Sequence, residues 1–336
     1  MSFKKLKELK NDVNVLSLDD MVNRFQDPDI LYNYILQAYK NCQKGVDLRS
    51  ISDDKKKSVN LVYKLEVFRA TMQYIEEFGI YFLAYTEGEE GIAKKITQTM
   101  PKDVIDNFFK YLINNKQDEF SQKQKFDNYD ELLKYIFVYD RISKVEQPVD
   151  SDELDELIME SLKSLKNNIN NCIGFYIDYL ELYNAIKHGT RIFPNKGNKI
   201  VFEIGNEQKS FDLIPDSFNA ICKSSGTDDA YLLSYNPNLL INNSLKVSQS
   251  IHPIFSSMRN NVKNKLSKSK KFDIKFFQEP KNQIIDEKFI KVVSKAGVLL
   301  LPHYPELEKF LRNSPSGKIA FNLTLKGRTM YLHSNK

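Results

Sequence analysis

Up to Pro194 the apolar positions recur every three or four residues, the period of a helix with one covered face. In QDPDILYNYILQAYKNCQKG, Ile30, Leu31, Tyr34, Ile35, Ala38 and Tyr39 form one stripe. Asp27 suits the N-cap, Pro28 the first helical position and Gly45 the left-handed turn beyond the end. A longer helix is predicted from Ser52 or Asp53 to about Tyr85, with Leu61, Leu65, Phe68, Met72 and Ile75 turned inward; Gly88 and Gly91 break it. Shorter helices are predicted over 101–115, opened by Pro101, and over 128–142. The longest starts at Asp150 and Glu153, spaced as a capping box, and runs to His188. At ~1.5 Å per residue it would exceed ~50 Å. Long helices joined by short ones predict an antiparallel bundle.

After Pro194 the period shortens. KIVFEIGNEQKSFDLI alternates and turns at Gly205-Asn206, and GKIAFNLTLKGRTMYLHS turns at Lys326-Gly327, which predicts two β-hairpins. NSLKVSQSIHPIFSSMRNNVKNKL predicts a helix, kinked or started late by Pro253, and KFDIKFF a strand. The expected fold class is mainly α: an antiparallel helical bundle over 1–194, then a smaller C-terminal mixed α+β region over 195–336 with two hairpins and a basic helix.

Composition changes the picture in one respect. The 336 residues, 41% apolar, suffice for one large core or two ordinary ones. Their net charge of +5 conceals an asymmetry: residues 1–195 hold 27 Lys/Arg against 32 Asp/Glu, and residues 196–336 hold 22 against 12. Such a basic half suits a polyanion, although two opposite halves could equally complement each other. The basic run RNNVKNKLSKSKKFDIKFF offers Arg259, Lys263, Lys265, Lys268, Lys270 and Lys271 as nucleic-acid-binding residues, while Phe272, Ile274 and Phe276 read as core.

Several chemistries lack their signature. Cys42, Cys172 and Cys222 lie far apart, neither a zinc pattern nor a disulfide framework, which suggests a reducing setting. His252, His303 and His333 show no metal-ligand spacing, so no metal and no cofactor is expected. There is no phosphate-binding glycine loop and no hydrolase elbow. The N-terminal MSFKKLKELKNDVN has no apolar run after its lysines, and no apolar stretch reaches the roughly 18 residues of a membrane span. A cytoplasmic protein without a membrane partner is expected.

The stretch ELYNAIKHGTRIF closes the long helix. On a helical wheel Cys172, Phe175, Tyr176, Tyr179, Tyr183 and Ile186 share one arc, and Glu181, Asn184 and His188 lie almost opposite. Asn184 and His188 are i,i+4 neighbours, so the amide can orient the imidazole. A capping role accounts for the same residues: Lys187 and His188 before Gly189 suit the carbonyl-rich end of any helix.

Y-N-A-I-K-H over 183–188, at the end of a long helix with a long helical partner, resembles the R-N-x-x-x-H motif of the HEPN superfamily. The likeness covers roughly residues 50–193. Nuclease members of that family, found in bacterial defence and toxin systems, cut RNA without a metal where two motifs meet across a dimer. The resemblance implies His188 as general acid/base and Asn184 as its orienting or phosphate-binding neighbour. Tyr183 stands where the family has Arg, so Lys187 or Arg191 would stabilise charge on the phosphate, although Lys187 sits about 100° around the helix from His188. The implied partners are RNA, a second copy of the chain and a protein of the same system. Two other readings stay open: a non-catalytic protein using the bundle as a dimer or partner surface, and RNA binding without cleavage through the 263–271 lysines.

Overall fold

The computed structural model describes residues 27–44, 52–86, 91–144, 151–187, 192–194, 199–204, 207–212, 217–223, 230–267, 274–278, 289–294, 297–302, 319–325 and 328–334. It is mainly helical. The helices are α1 (Pro28–Lys44), α2 (Asp53–Tyr85), α3 (Ile92–Gln98), α4 (Pro101–Val104), α5 (Lys110–Ile113), α6 (Gln117–Lys123), α7 (Tyr129–Ile136), α8 (Ser151–Asp178), α9 (Leu180–Lys187) and α10 (Pro237–Leu266). A π-helical turn, Ile105–Phe109, joins α4 to α5, and a 3-10 helix, Tyr139–Lys144, follows α7. The strands are β1 (Ile192–Pro194), β2 (Lys199–Ile204), β3 (Glu207–Asp212), β4 (Phe218–Lys223), β5 (Ala230–Tyr235), β6 (Phe289–Ser294), β7 (Gly297–Pro302), β8 (Ile319–Leu325) and β9 (Arg328–Ser334).

Two compact units emerge, each assembled from three segments: 1–33, 73–174 and 248–281 form one, and 34–72, 175–247 and 282–336 the other. This differs from a single boundary near residue 194.

In the first unit the core is aromatic. Phe82 of α2 stacks on Phe108 of the π-turn at 4.3 Å, and Phe120 of α6 lies 5.1 Å from Phe108. Tyr74, Phe78 and Tyr81 of α2 surround Phe255 of α10 at 5.2 to 5.8 Å. Because Tyr74 meets His252, Tyr81 meets Arg259 and Tyr85 meets Lys265, α10 runs parallel to α2 here. The start of α1 runs antiparallel to α10, with Tyr32 against His252 and Asp29 against Ser256.

The π-turn segment packs closely on α2. A Cβ on Gly79 would overlap Val104 Cγ1 and come within 3.0 Å of the Phe109 ring, so only a glycine on α2 lets this segment approach so closely. The predicted helix over 101–115 is therefore three pieces, opened by Pro101 behind Met100, whose N–H donates to Asp103 Oδ2 at 2.9 Å. The predicted 128–142 helix is α7, capped by Asn128, plus the 3-10 helix.

In the second unit the strands form a five-stranded sheet, β1-β4-β5-β7-β6, and a four-stranded sheet, β3-β2-β8-β9. Both expected hairpins pair: Ile204 is opposite Glu207 and Leu325 opposite Arg328, and the expected turn residues Gly205-Asn206 and Lys326-Gly327 lie outside the described residues. They do not form independent sheets; β2 also pairs with β8. Phe68 of α2, Phe175 of α8, Tyr179, Tyr235 of β5 and Phe218 of β4 make one aromatic chain with centroid spacings of 5.6 to 6.2 Å.

Three expectations are corrected. The long helix does not run unbroken to residue 188: Tyr179 separates α8 from α9, so α8 alone spans 28 residues. The helix containing Pro253 begins earlier than expected, because Asn236 Oδ1 accepts from the Asn238 and Leu239 N–H groups and Pro237 fills the first helical position. Residues 274–277 of the expected KFDIKFF strand form no strand, and 271–273 lie outside the described residues. Tyr139 donates its hydroxyl to the Lys275 carbonyl at 2.6 Å, and the Phe277 N–H donates to Ser161 Oγ at 2.8 Å, so side chains rather than a ladder tie this segment down. The faces also swap: Phe277 is buried, whereas Phe276 is 42% exposed and stacks on Tyr139.

Candidate functional site

The arc expected at the end of the long helix is met in part, since Ile186 is half-buried. Cys172, Phe175, Tyr176, Tyr179 and Tyr183 are all buried, and the opposite positions Ile177, Glu181 and Asn184 are half-buried. Within the second unit α9 packs on β4, and the Tyr183 ring lies edge-on to Tyr176 at 6.2 Å. Tyr183 is 2% exposed, so its position faces the core.

Lys187 follows Tyr183 by one turn, and its Nζ rests 3.9 Å from the centroid of the Tyr183 ring. The Asn184 amide forms no hydrogen bond among the described residues, so its donors and acceptor stay available at the helix end.

A second cation approaches from α2. Arg69 lies within electrostatic reach of the Tyr183 phenol. Its Nε and Nη2 form a fork on Glu66, at 2.8 Å to Oε2 and 2.5 Å to Oε1, and Tyr34 of α1 donates its hydroxyl to Glu66 Oε1 at 2.8 Å. The hydrogen bonds from Arg69 hold the Glu66 carboxyl below its ordinary range, against desolvation. Reciprocally, Glu66 raises the Arg69 guanidinium, so both remain charged.

His188 and Arg191, expected to carry the chemistry, lie outside the described residues, as do Lys268, Lys270, Lys271 and Phe272. The remaining members of the expected nucleic-acid patch do not form a common surface. Arg259 is 2% exposed with its guanidinium 5.6 Å from the Tyr81 ring centroid, and burial lowers its pKa. Lys265 is buried between the Tyr85 and Tyr135 rings, its Nζ 4.1 and 4.0 Å from the two centroids and donating to the Tyr135 hydroxyl at 2.6 Å. Lys263 is half-buried. The basic positions alternate between the core and the open side of α10, which a count of lysines along the chain does not separate.

Arg69 was not anticipated. The i,i+3 spacing of Glu66 and Arg69 is visible in the chain, but the electrostatic reach of Arg69 to Tyr183 spans distant parts of the sequence. Among the described residues no group of three or more His, Cys, Asp or Glu side chains could hold a metal ion, and no helix is long and apolar enough to cross a membrane. No family model, curated protein or solved structure matches the chain.

Proposed function

We propose that the end of α9 and the adjoining face of α2 form an RNA-acting site of the HEPN kind, a metal-independent endoribonuclease of a bacterial antiviral or toxin system that works in the cytoplasm as a homodimer, alongside a protein of the same system. What supports this reading is that Asn184 and Lys187 lie in the last turn of α9 and that Arg69 of α2 is within electrostatic reach of Tyr183, the residue over whose ring the Lys187 ammonium rests. His188 then exchanges a proton with the ribose 2′-hydroxyl or the leaving oxygen, Asn184 orients it, and Arg69, with Lys187 or Arg191, stabilises the charged phosphate.

Incubating the purified chain with RNA in EDTA tests this. Cleavage is expected, falling about 100-fold or more in His188→Ala and by a similar order in Arg69→Ala. Unchanged RNA, or equal cleavage by wild type and His188→Ala, removes the nuclease assignment.

A specific observation favours the second reading, a non-catalytic interaction protein. The two cations of the site are already engaged within the chain, Arg69 by Glu66 and Lys187 by the Tyr183 ring. On that reading His188→Ala shifts the melting temperature or the association state and leaves RNA intact.

A further inference from the structure

The apolar stripe of α8 outruns its cover. Ser161, Leu162, Ser164, Leu165, Asn168 and Ile169 are buried along one face of the helix. At about 100° per residue Leu154, Leu157 and Ile158 continue that face toward the N-terminus. No residue from Asp152 to Glu160 is buried, however: Leu157 is 39% exposed, and Leu154 and Ile158 are half-buried. The cover stops at Ser161, whose Oγ accepts the Phe277 N–H at 2.8 Å and meets the Tyr139 hydroxyl at 2.7 Å. Phe276, stacked on that tyrosine and exposed, adds apolar surface where the cover ends.

The uncovered turns are acidic. Asp152 to Glu160 holds five carboxylates and no lysine or arginine. Glu153 and Glu160 stand four and three residues from Leu157, on one edge of the stripe, and Asp155 stands three from Ile158, on the other. Glu153, Asp155, Glu156 and Glu160 have no side-chain ion pair or hydrogen bond among the described residues. Apolar side chains in register with a core, left open and rimmed by charge, have the anatomy of a contact surface.

Charge decides what lies on it. A second copy docking this face on itself would set the carboxylates against one another, since a two-fold contact pairs identical patches. An anionic lipid surface or a nucleic acid meets the same repulsion. The complement is cationic and apolar at once. Leu154, Leu157 and Ile158 have the i, i+3, i+4 spacing by which one helix engages another, and at ~1.5 Å per residue the open stretch is ~14 Å long, the length of a short helix.

We infer that the first turns of α8 dock a basic amphipathic helix of a partner protein, its apolar stripe on Leu154, Leu157 and Ile158 and its lysines or arginines on Glu153, Asp155 and Glu160. This face belongs to the first unit and α9 to the second, and the inference holds whether or not the α9 site cuts RNA.

Fluorescence anisotropy of the full chain with the labelled leucine–lysine helix LKKLLKLLKKLLKL tests it. The controls are the same peptide with glutamate for lysine, and a shuffled order of the same composition that has no helical stripe. The lysine helix is expected to bind with a Kd below about 100 µM, and both controls at least tenfold more weakly. Leu154→Ser with Leu157→Ser should weaken it about tenfold or more at an unchanged melting temperature, as should Glu153→Gln with Asp155→Asn and Glu160→Gln. Met159→Ser, on the opposite face, should leave the affinity intact. No binding at about 1 mM, equal binding by either control, full affinity in either folded variant, or an equal loss in Met159→Ser overturns the inference. So does self-association of the free chain that Leu157→Ser abolishes, which makes a second copy the occupant. Binding that emerges only once Lys268, Lys270 and Lys271 are changed to Gln overturns it too, with the chain's own lysines as the occupant.

Discussion

His252 of α10 sits face to face with Tyr32 at 3.6 Å, with Nδ1 2.9 Å from the Tyr74 hydroxyl and Nε2 3.7 Å from Asp29 Oδ1. Burial keeps the Tyr74 phenol protonated, so the consistent arrangement has Tyr74 donating to Nδ1 and the Nε2–H facing the carboxylate. Ser256 donates its hydroxyl to the same Asp29 oxygen at 3.0 Å, fixing the far end of the chain of contacts. Desolvation lowers the His252 pKa; Asp29 and Asp27 pull it upward, and Lys275 adds to the lowering. The unfolded chain therefore takes up this proton first as pH falls. The stability tied to a neutral imidazole is complete above the unfolded value of 6.5 and is lost as pH drops toward the folded one. Urea midpoints should fall between about pH 7.5 and pH 5.5, and His252→Gln should shrink that difference. A variant showing the same pH dependence as wild type would place its origin elsewhere.

At the scale of the element, Gly79 decides how closely the π-turn approaches α2. Gly79→Ala gains about 1 kcal/mol of helix propensity but forces a methyl group into Val104 and Phe109, and overpacking of this kind costs about 1–3 kcal/mol. A net loss in the urea midpoint is expected; a more stable variant would mean that the wall yields. Local signals made much of this scale legible from the chain. Pro28 starts α1, and the β2-β3 and β8-β9 pairings follow the expected hairpin registers, because caps and hairpins depend on a few adjacent residues. What stayed hidden depends on distant partners. The π-turn segment packs on a glycine of another helix, β5 and β7 pair although α10 lies between them in sequence, and Tyr139 and Ser161 tie down 274–278 by side-chain hydrogen bonds. The candidate site divides in the same way: Asn184 and His188 were expected from their i,i+4 spacing, whereas Arg69 was not, because Tyr183, within its electrostatic reach, lies over a hundred positions along the chain.

Over the whole molecule the chain passes between the two compact units five times, at 33/34, 72/73, 174/175, 247/248 and 281/282. A fragment of residues 1–194 keeps the helices that would suggest a free-standing bundle, yet it lacks 248–281 of one unit and both β-sheets of the other. Expressed alone, it should show helical circular dichroism without a cooperative thermal transition; a sharp transition would establish it as an autonomous domain. The same threading bears on birth at the ribosome. Phe78 and Tyr81 emerge early and meet Phe255 only after more than 170 further residues have been made. Until then a greasy aromatic flank stays open on a nascent chain, so translation speed and holdase chaperones, more than intrinsic helix strength, should govern how much of the product ends in inclusion bodies.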